Sequence, residues 1–134
     1  MIDDALALVD SNVIIDIIQR DEQWFEWSVD TLSRHKNVSI NPIIYAELCY
    51  QKTSAEEVDH LLDVLCLGYN ELPREALYIA SQAFREYRKK GGSKTAPLAD
   101  FFIGAHATVI GAPIITRDVV PYRHFFPSVV LISP

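Results

Sequence analysis

The chain has 134 residues, 49% hydrophobic and 22% charged, enough apolar material for a buried core and too apolar for a disordered segment. Its 18 acidic residues against 12 basic ones give a net charge of −6, which excludes nucleic-acid binding by bulk positive charge but not binding through a carried metal ion. At this length one domain spanning 1–134 is expected.

Ala5 to Val9 is a short apolar run ending at Asp10 and reads as a buried strand. Ser11 or Asn12 can cap a helix running to about Gln19. A second helix, about Glu22 to His35, carries Phe25, Val29 and Leu32 at i, i+4, i+7. Val38 to Ile40 is a short strand, and Pro42 suits the first turn of a helix over Ile43 to Gln51. Ser54 and Glu57 form a capping box ahead of the stripe Val58, Leu61, Leu62 and Leu65. A weakly signalled strand lies near Leu67–Glu71. Pro73 then opens a long helix with Leu77, Ala80, Phe84 and Tyr87 on one side, stopped by Gly91-Gly92. Leu98 to Ile110 reads as a helix apolar nearly all round, hence central. Pro113 to Thr116 and Val129 to Ile132 are the last strands. Strands alternating with helices imply an α/β fold, a parallel sheet covered on both faces, with its site outside the carboxyl ends of the strands.

No apolar run approaches the about 20 residues of a membrane span, and the acidic start Met1-Ile2-Asp3-Asp4 is unlike a basic signal peptide. A cytoplasmic chain is expected, with Cys49 and Cys66 as small buried hydrophobes.

Four carboxylates stand where a carboxylate is costly. Asp10 and Asp118 fall at or just beyond carboxyl strand ends. Glu47 shares a helix face with Ile43 and Ile44. Asp100 is the only formal charge between Lys94 and Arg117. Taken singly each has an ordinary reading: a helix cap, a helix-face pair, an N-terminal helix acid, a turn residue. Taken together they converge in one topology and outnumber the nearby bases, since Arg117 is the only base adjacent to any of the four. A divalent cation relieves such crowding most simply, and oxygen-only ligands favour magnesium or manganese over zinc. Phosphoryl chemistry suits such a site. Asn12 stands two residues after Asp10 where an aspartyl-phosphate phosphatase would carry its second acid, and no Gly-rich phosphate loop is present.

Four segments, Leu8-Val9-Asp10-Ser11-Asn12-Val13, Tyr45-Ala46-Glu47-Leu48, Leu98 to Ala107 around Asp100, and Ile115-Thr116-Arg117-Asp118, resemble in this order the motifs of PIN-domain nucleases. Size and motif wording are most similar to VapC-type ribonuclease toxins of type II toxin–antitoxin modules. The resemblance implies a PIN-like three-layer α/β/α fold with about four to five short parallel strands. It implies an endoribonuclease dependent on Mg2+ or Mn2+, with Asp10, Glu47, Asp100 and Asp118 as the acidic metal site. Asn12 and Thr116 would orient the acids or the water, and Ser11 matches a hydroxyl position. A homodimer and a cognate VapB-type antitoxin are implied as well. Arg117 stands where many relatives carry Asn, and Val119-Val120-Pro121 is apolar where close relatives are often basic. The alternatives are RNA processing or structure-specific DNA cleavage at the same site, or a non-catalytic interaction module on the same fold.

Arg85, Arg88, Lys89, Lys90 and Lys94 form the one basic cluster, read either as an RNA phosphate contact or as a solvated helix end, with Arg117 a further candidate contact. His106 lies about 240° around its helix from Asp100 and is expected to be structural. Trp24, Phe25 and Trp27, and later Tyr122, Phe125 and Phe126, are expected to pack in or at the edge of the core.

Overall fold

The computed structural model describes residues 5–93 and 98–134. Among these residues five parallel strands form the sheet: β1 Ala7–Val9, β2 Val38–Ile40, β3 Gly68–Tyr69, β4 Ile114–Ile115 and β5 Leu131–Ile132. Their spatial order is β3-β2-β1-β4-β5, so the chain builds outward from β1 to one side and then crosses to the other. The reversal of direction opens a crevice beside the carboxyl end of β1. Among the described residues seven helices accompany the sheet: α1 Ser11–Ile18, α2 Phe25–Ser33, α3 Pro42–Tyr50, α4 Ala55–Val64, α5 Arg74–Lys89, α6 Ala99–Ile110 and α7 Val120–Phe125. Among the described residues no helix is long and apolar enough to cross a membrane.

The three inner strands are short because they are dry. Ala7, Leu8, Val9, Ile40, Ile114 and Ile115 are wholly buried, so each apolar run is both strand and core. Register aligns the strand ends. Leu8 pairs with Ser39 and with Ile114, and Val9 with Ile115. Ile40 pairs with Tyr69, and Ile115 with Ile132. One residue further, every strand meets a polar side chain: Asn70, Asn41, Asp10, Thr116 and Ser133 stand in a row across the carboxyl edge. The ladder continues to that row, since Asp10 N donates to Ile115 O and Thr116 N to Ile132 O, at 2.9 and 3.0 Å.

Most expected elements appear, with ends moved by one to three residues. Three local readings change. The α1 cap falls on Asp10, whose Oδ1 accepts from Ser11 N at 2.8 Å, and this frees the Ser11 hydroxyl and the Asn12 amide for other partners. The α2 stripe is Ser28, Thr31 and Leu32, while Val29 faces solvent at 41% exposure. The α4 cap keeps Ser54 Oγ as acceptor from Glu57 N, but the Glu57 carboxylate bonds back to Thr53 rather than Ser54. The cysteines are less hidden than expected: Cys49 is half-buried, and Cys66, in the turn after α4, is exposed.

After β4 the apolar Val119-Val120-Pro121 opens the one-and-a-half-turn helix α7, with Val119 as cap and Pro in the first turn. Helix α7 is too short to hold itself. Its far end is fixed by rings: Phe125 meets Phe101 edge-on at 5.0 Å and Tyr87 at 6.0 Å, and Phe126 meets Phe101 at 6.5 Å. Phe126 reaches α6 only because residue 104 is glycine, since an added Cβ there would overlap its ring. Gly104→Ala is therefore expected to lower the unfolding free energy by about 1–3 kcal/mol, read from the urea midpoint. An unchanged midpoint would show that the Phe126 ring can move away freely.

Candidate active site

Asp10 is the fixed point. It follows β1, the central strand, and is 4% exposed. Its carboxylate is held by three donors. Ser11 N bonds Oδ1 at 2.8 Å, while Thr116 Oγ1 at 3.0 Å and the Tyr122 hydroxyl at 2.8 Å both bond Oδ2. Burial pushes the Asp10 pKa up, and those three hydrogen bonds pull it back only in part; the charge of Asp118 adds to the rise.

Thr116 joins two of the acids. Its hydroxyl accepts from Asn12 Nδ2 at 3.2 Å and from Asp118 N at 3.0 Å, which leaves its one proton for Asp10. Asn12 completes the clamp by accepting from Arg117 N at 3.1 Å through Oδ1. The loop leaving β4 is thus tied to the first turn of α1 by side chains that bond backbone on both sides.

Glu47 comes from α3, half-buried, and its Oε1 accepts from Ser11 Oγ at 3.2 Å. Burial raises its pKa first, and the charges of Asp10 and Asp100 raise it further. Asp100 comes from the first turn of α6. Its pKa rises to about 6, through burial first and then the charges of Asp10 and Asp118. Its Oδ1 lies 3.4 Å from the Tyr122 hydroxyl. Asp118 is the exposed member of the four. The sheet edge, the loop after β4, the starts of α1 and α6 and the second half of α3 therefore bring Asp10, Glu47, Asp100, Asp118, Asn12 and Thr116 into one neighbourhood in which the acids feel one another's charge.

Among the described residues, the ion pairs formed by Lys or Arg take Asp30, Glu86 and Asp16; none takes any of these four acids. In charge and donor type the set fits a hard divalent cation. The oxygens are not already drawn onto one point, for among the described residues no three His, Cys, Asp or Glu side chains form a ready-made cage.

Arg117 forms its ion pair with Asp16 rather than with its neighbour Asp118. Nε and Nη2 bond the two oxygens of buried Asp16, at 2.5 and 3.0 Å, and the guanidinium lies 5.8 Å from the Trp24 ring. Its fork is engaged in anchoring the β4–α7 loop to α1. Arg85, Arg88, Lys89 and Lys90 lie exposed at the carboxyl end of α5, with Lys89 paired to Glu86 at 3.7 Å; Lys94 lies outside the described residues. His106 is buried, its Nδ1 bonded by Asn41 Nδ2 at 3.1 Å, and burial lowers its pKa, consistent with a neutral packing residue that links α6 to the start of α3.

Two participants escape a reading of the sequence. Tyr122, an expected core residue, is wholly buried, yet its hydroxyl points at two acids. Asp16 looks like an ordinary polar position of an amphipathic helix until Arg117, 101 residues away, is folded onto it. Nothing local in the sequence marks Tyr122, since the acids its hydroxyl meets lie 112 and 22 residues away.

The family model described as PIN domain matches residues 7–124. No curated protein sequence matches significantly. Among solved structures the chain is similar to VapBC-1 from nontypeable Haemophilus influenzae (TM-score 0.71, 17% identity, 96% of this chain and 98% of that one). It is also similar to VapBC2 from Rickettsia felis, bound to a DNA fragment from its promoter (0.69, 17%, 96% and 98%). A third is FitAcB from Neisseria gonorrhoeae (0.61, 24%, 96% and 97%). At these identities the likeness is one of fold.

The electrostatics lead to two expected outcomes. In the fold the Asp100 pKa lies above its ordinary 3.8, at about 6. The metal-free chain therefore loses stability from this group as pH rises from about 4 through about 6, because the unfolded chain gives up the proton first. Asp100→Asn should thus be more stable than the parent at pH 7 without metal, by about 1 kcal/mol after discounting for solvent screening. Equal or lower stability would show that the crowding is relieved some other way. Arg117→Ala strands the Asp16 carboxylate, whose side chain is 5% exposed, and should cost about 2 kcal/mol or more in urea unfolding. Asp16→Leu, which removes the buried charge itself, should cost less.

Proposed function

The chain belongs to the PIN domain family, and from that premise we propose that it is a metal-dependent endoribonuclease, the toxin of a VapBC-type toxin–antitoxin pair. The observation that carries this reading is the gathering of Asp10, Glu47, Asp100 and Asp118 around one sheet edge, with no Lys, Arg or His ion pair to any of them among the described residues. A binding module has no use for that repulsion. A nuclease does, because these acids would hold Mg2+ or Mn2+, which would supply charge neutralisation, an activated water and stabilisation of a scissile phosphate.

Asp10, Glu47 and Asp100 are the residues proposed to hold the main ion, and exposed Asp118 to take a second ion or act through water. Thr116 and Asn12 fix the orientation of Asp10 and of the Asp118 backbone, so that these acids need not search for their positions. Ser11 does the same for Glu47 through its hydroxyl. Hydrolysis by water rather than by the ribose 2′-hydroxyl leaves 5′-phosphate and 3′-hydroxyl ends. The substrate is RNA in preference to duplex DNA, since an acidic chain of this size has little grip on a long duplex. Splayed single-stranded bases give such a site its access. The exposed cluster of Arg85, Arg88, Lys89 and Lys90 lies at the carboxyl end of α5, where the Tyr87 ring meets Phe101 next to Asp100, and is the proposed contact for an RNA phosphate backbone.

The VapBC proteins among the similar solved structures are, by name, members of a family of toxin–antitoxin systems. They support extending the reading to a cognate antitoxin as partner; a homodimer as the working form and action in the cytoplasm are further parts of the proposal.

The test is cleavage of single-stranded RNA with Mg2+, with chelator, and by Asp100→Asn, with the cut ends mapped. Cutting only by the parent with Mg2+, leaving 5′-phosphates, is expected. Equal activity in all three would remove the assignment, and cleavage of DNA of matched sequence instead would move the substrate.

A further inference from the structure

Tyr122 is the largest fully buried side chain of the described fold, and its hydroxyl is spent on none of the packing that holds α7. That packing comes from Phe125 and Phe126. The hydroxyl instead meets Asp10 Oδ2 at 2.8 Å and lies 3.4 Å from Asp100 Oδ1. It has one proton, and the shorter contact takes it.

A count of lone pairs around Asp10 shows what this bond decides. Each carboxylate oxygen offers two. Oδ2 receives Thr116 Oγ1 and Tyr122 Oη and is full. Oδ1 receives only Ser11 N and keeps one lone pair open. The carboxylate is therefore asymmetric before any ion arrives.

We propose that Tyr122 is a positioning residue for the metal site: its buried hydroxyl fills Asp10 Oδ2, leaving Oδ1 as the ligating oxygen, and sets that carboxylate beside Asp100. The inference rests on the metal-dependent reading above and deepens it. Without the hydroxyl, Oδ2 has a single donor, the carboxylate can turn about its Cβ–Cγ bond, and a vacant lone pair on Oδ2 competes with Oδ1 for the ion. Loss of such an outer hydrogen bond typically weakens metal affinity by about 10- to 100-fold.

The experiment is Mn2+ binding to the parent chain and to Tyr122→Phe, followed by the paramagnetic signal of free Mn2+, with the metal-free melting temperature measured alongside. The phenyl ring keeps the packing, so the expected result is Mn2+ affinity weakened about 10-fold or more in a chain that still melts cooperatively. A lowered melting temperature with parental Mn2+ affinity would make Tyr122 merely structural and overturn the inference. A parent chain that binds no Mn2+ would overturn the metal-dependent reading itself, and the inference with it. Should Tyr122→Phe not fold, the parent decides by proton NMR with selectively labelled tyrosine. The Tyr122 hydroxyl proton, shielded from exchange, should give a downfield signal that persists at saturating Mg2+. Its loss on adding Mg2+ would show a bond made only without the ion, contrary to the inference.

Discussion

An acid at the end of a dry central strand is the constraint around which this molecule is arranged. Asp10 follows three residues with no exposed surface and is itself almost hidden. A buried carboxylate without partners costs several kcal/mol, so the fold must supply donors where the sheet ends. Three arrive, from the next residue of the chain, from the end of the neighbouring strand β4, and from α7. None carries a positive charge. Hydrogen bonds meet the need for donors, while burial first, and then the charge of neighbouring acids, holds the pKa values of Asp10, Glu47 and Asp100 up.

The parts of the fold that look incidental serve this arrangement. Strand order places Thr116 beside Asp10, because β4 rather than β3 is the second neighbour of β1. The strong cation of the region, Arg117, spends its hydrogen bonds on Asp16 and lies near the Trp24 ring, so it anchors the loop and forms no ion pair with Asp118. Gly104 lets Phe126 lie against α6, which seats the short helix that delivers Tyr122. Asn41 and His106 link the start of α3 to α6, the two helices that carry Glu47 and Asp100.

The sequence is legible where one residue type has one physical reason to be where it is. The apolar runs that end on Asp10, Asn41 and Thr116 are short buried strands in the structure, and the acids marked by their apolar surroundings share a neighbourhood. Long-range pairing and short elements are harder to read. Val29 has the spacing of a core residue on α2, but the turn of that helix in the fold is set by Ser28 and Thr31, which no apolar stripe announces. Asp16 reads as solvated because its partner is 101 residues away. Helix α7 has six residues, too few for a periodic pattern, and is made by rings on α5 and α6 rather than by its own propensity. Tyr122 is a core residue by its pattern and in the fold, but hydrophobic pattern says nothing of where a phenol's oxygen points.

Mutual repulsion among these acids is, on this account, kept for a divalent cation to relieve. Proton release on metal binding tests that claim most directly. Titrating Mg2+ calorimetrically in buffers of different ionisation enthalpy, at pH 6 and again at pH 8, counts the protons displaced. With Asp100 half-protonated near pH 6, the account predicts saturable binding that expels a measurable fraction of a proton at pH 6 and much less at pH 8. Saturable binding with no proton released at pH 6, or no binding at either pH, would contradict it.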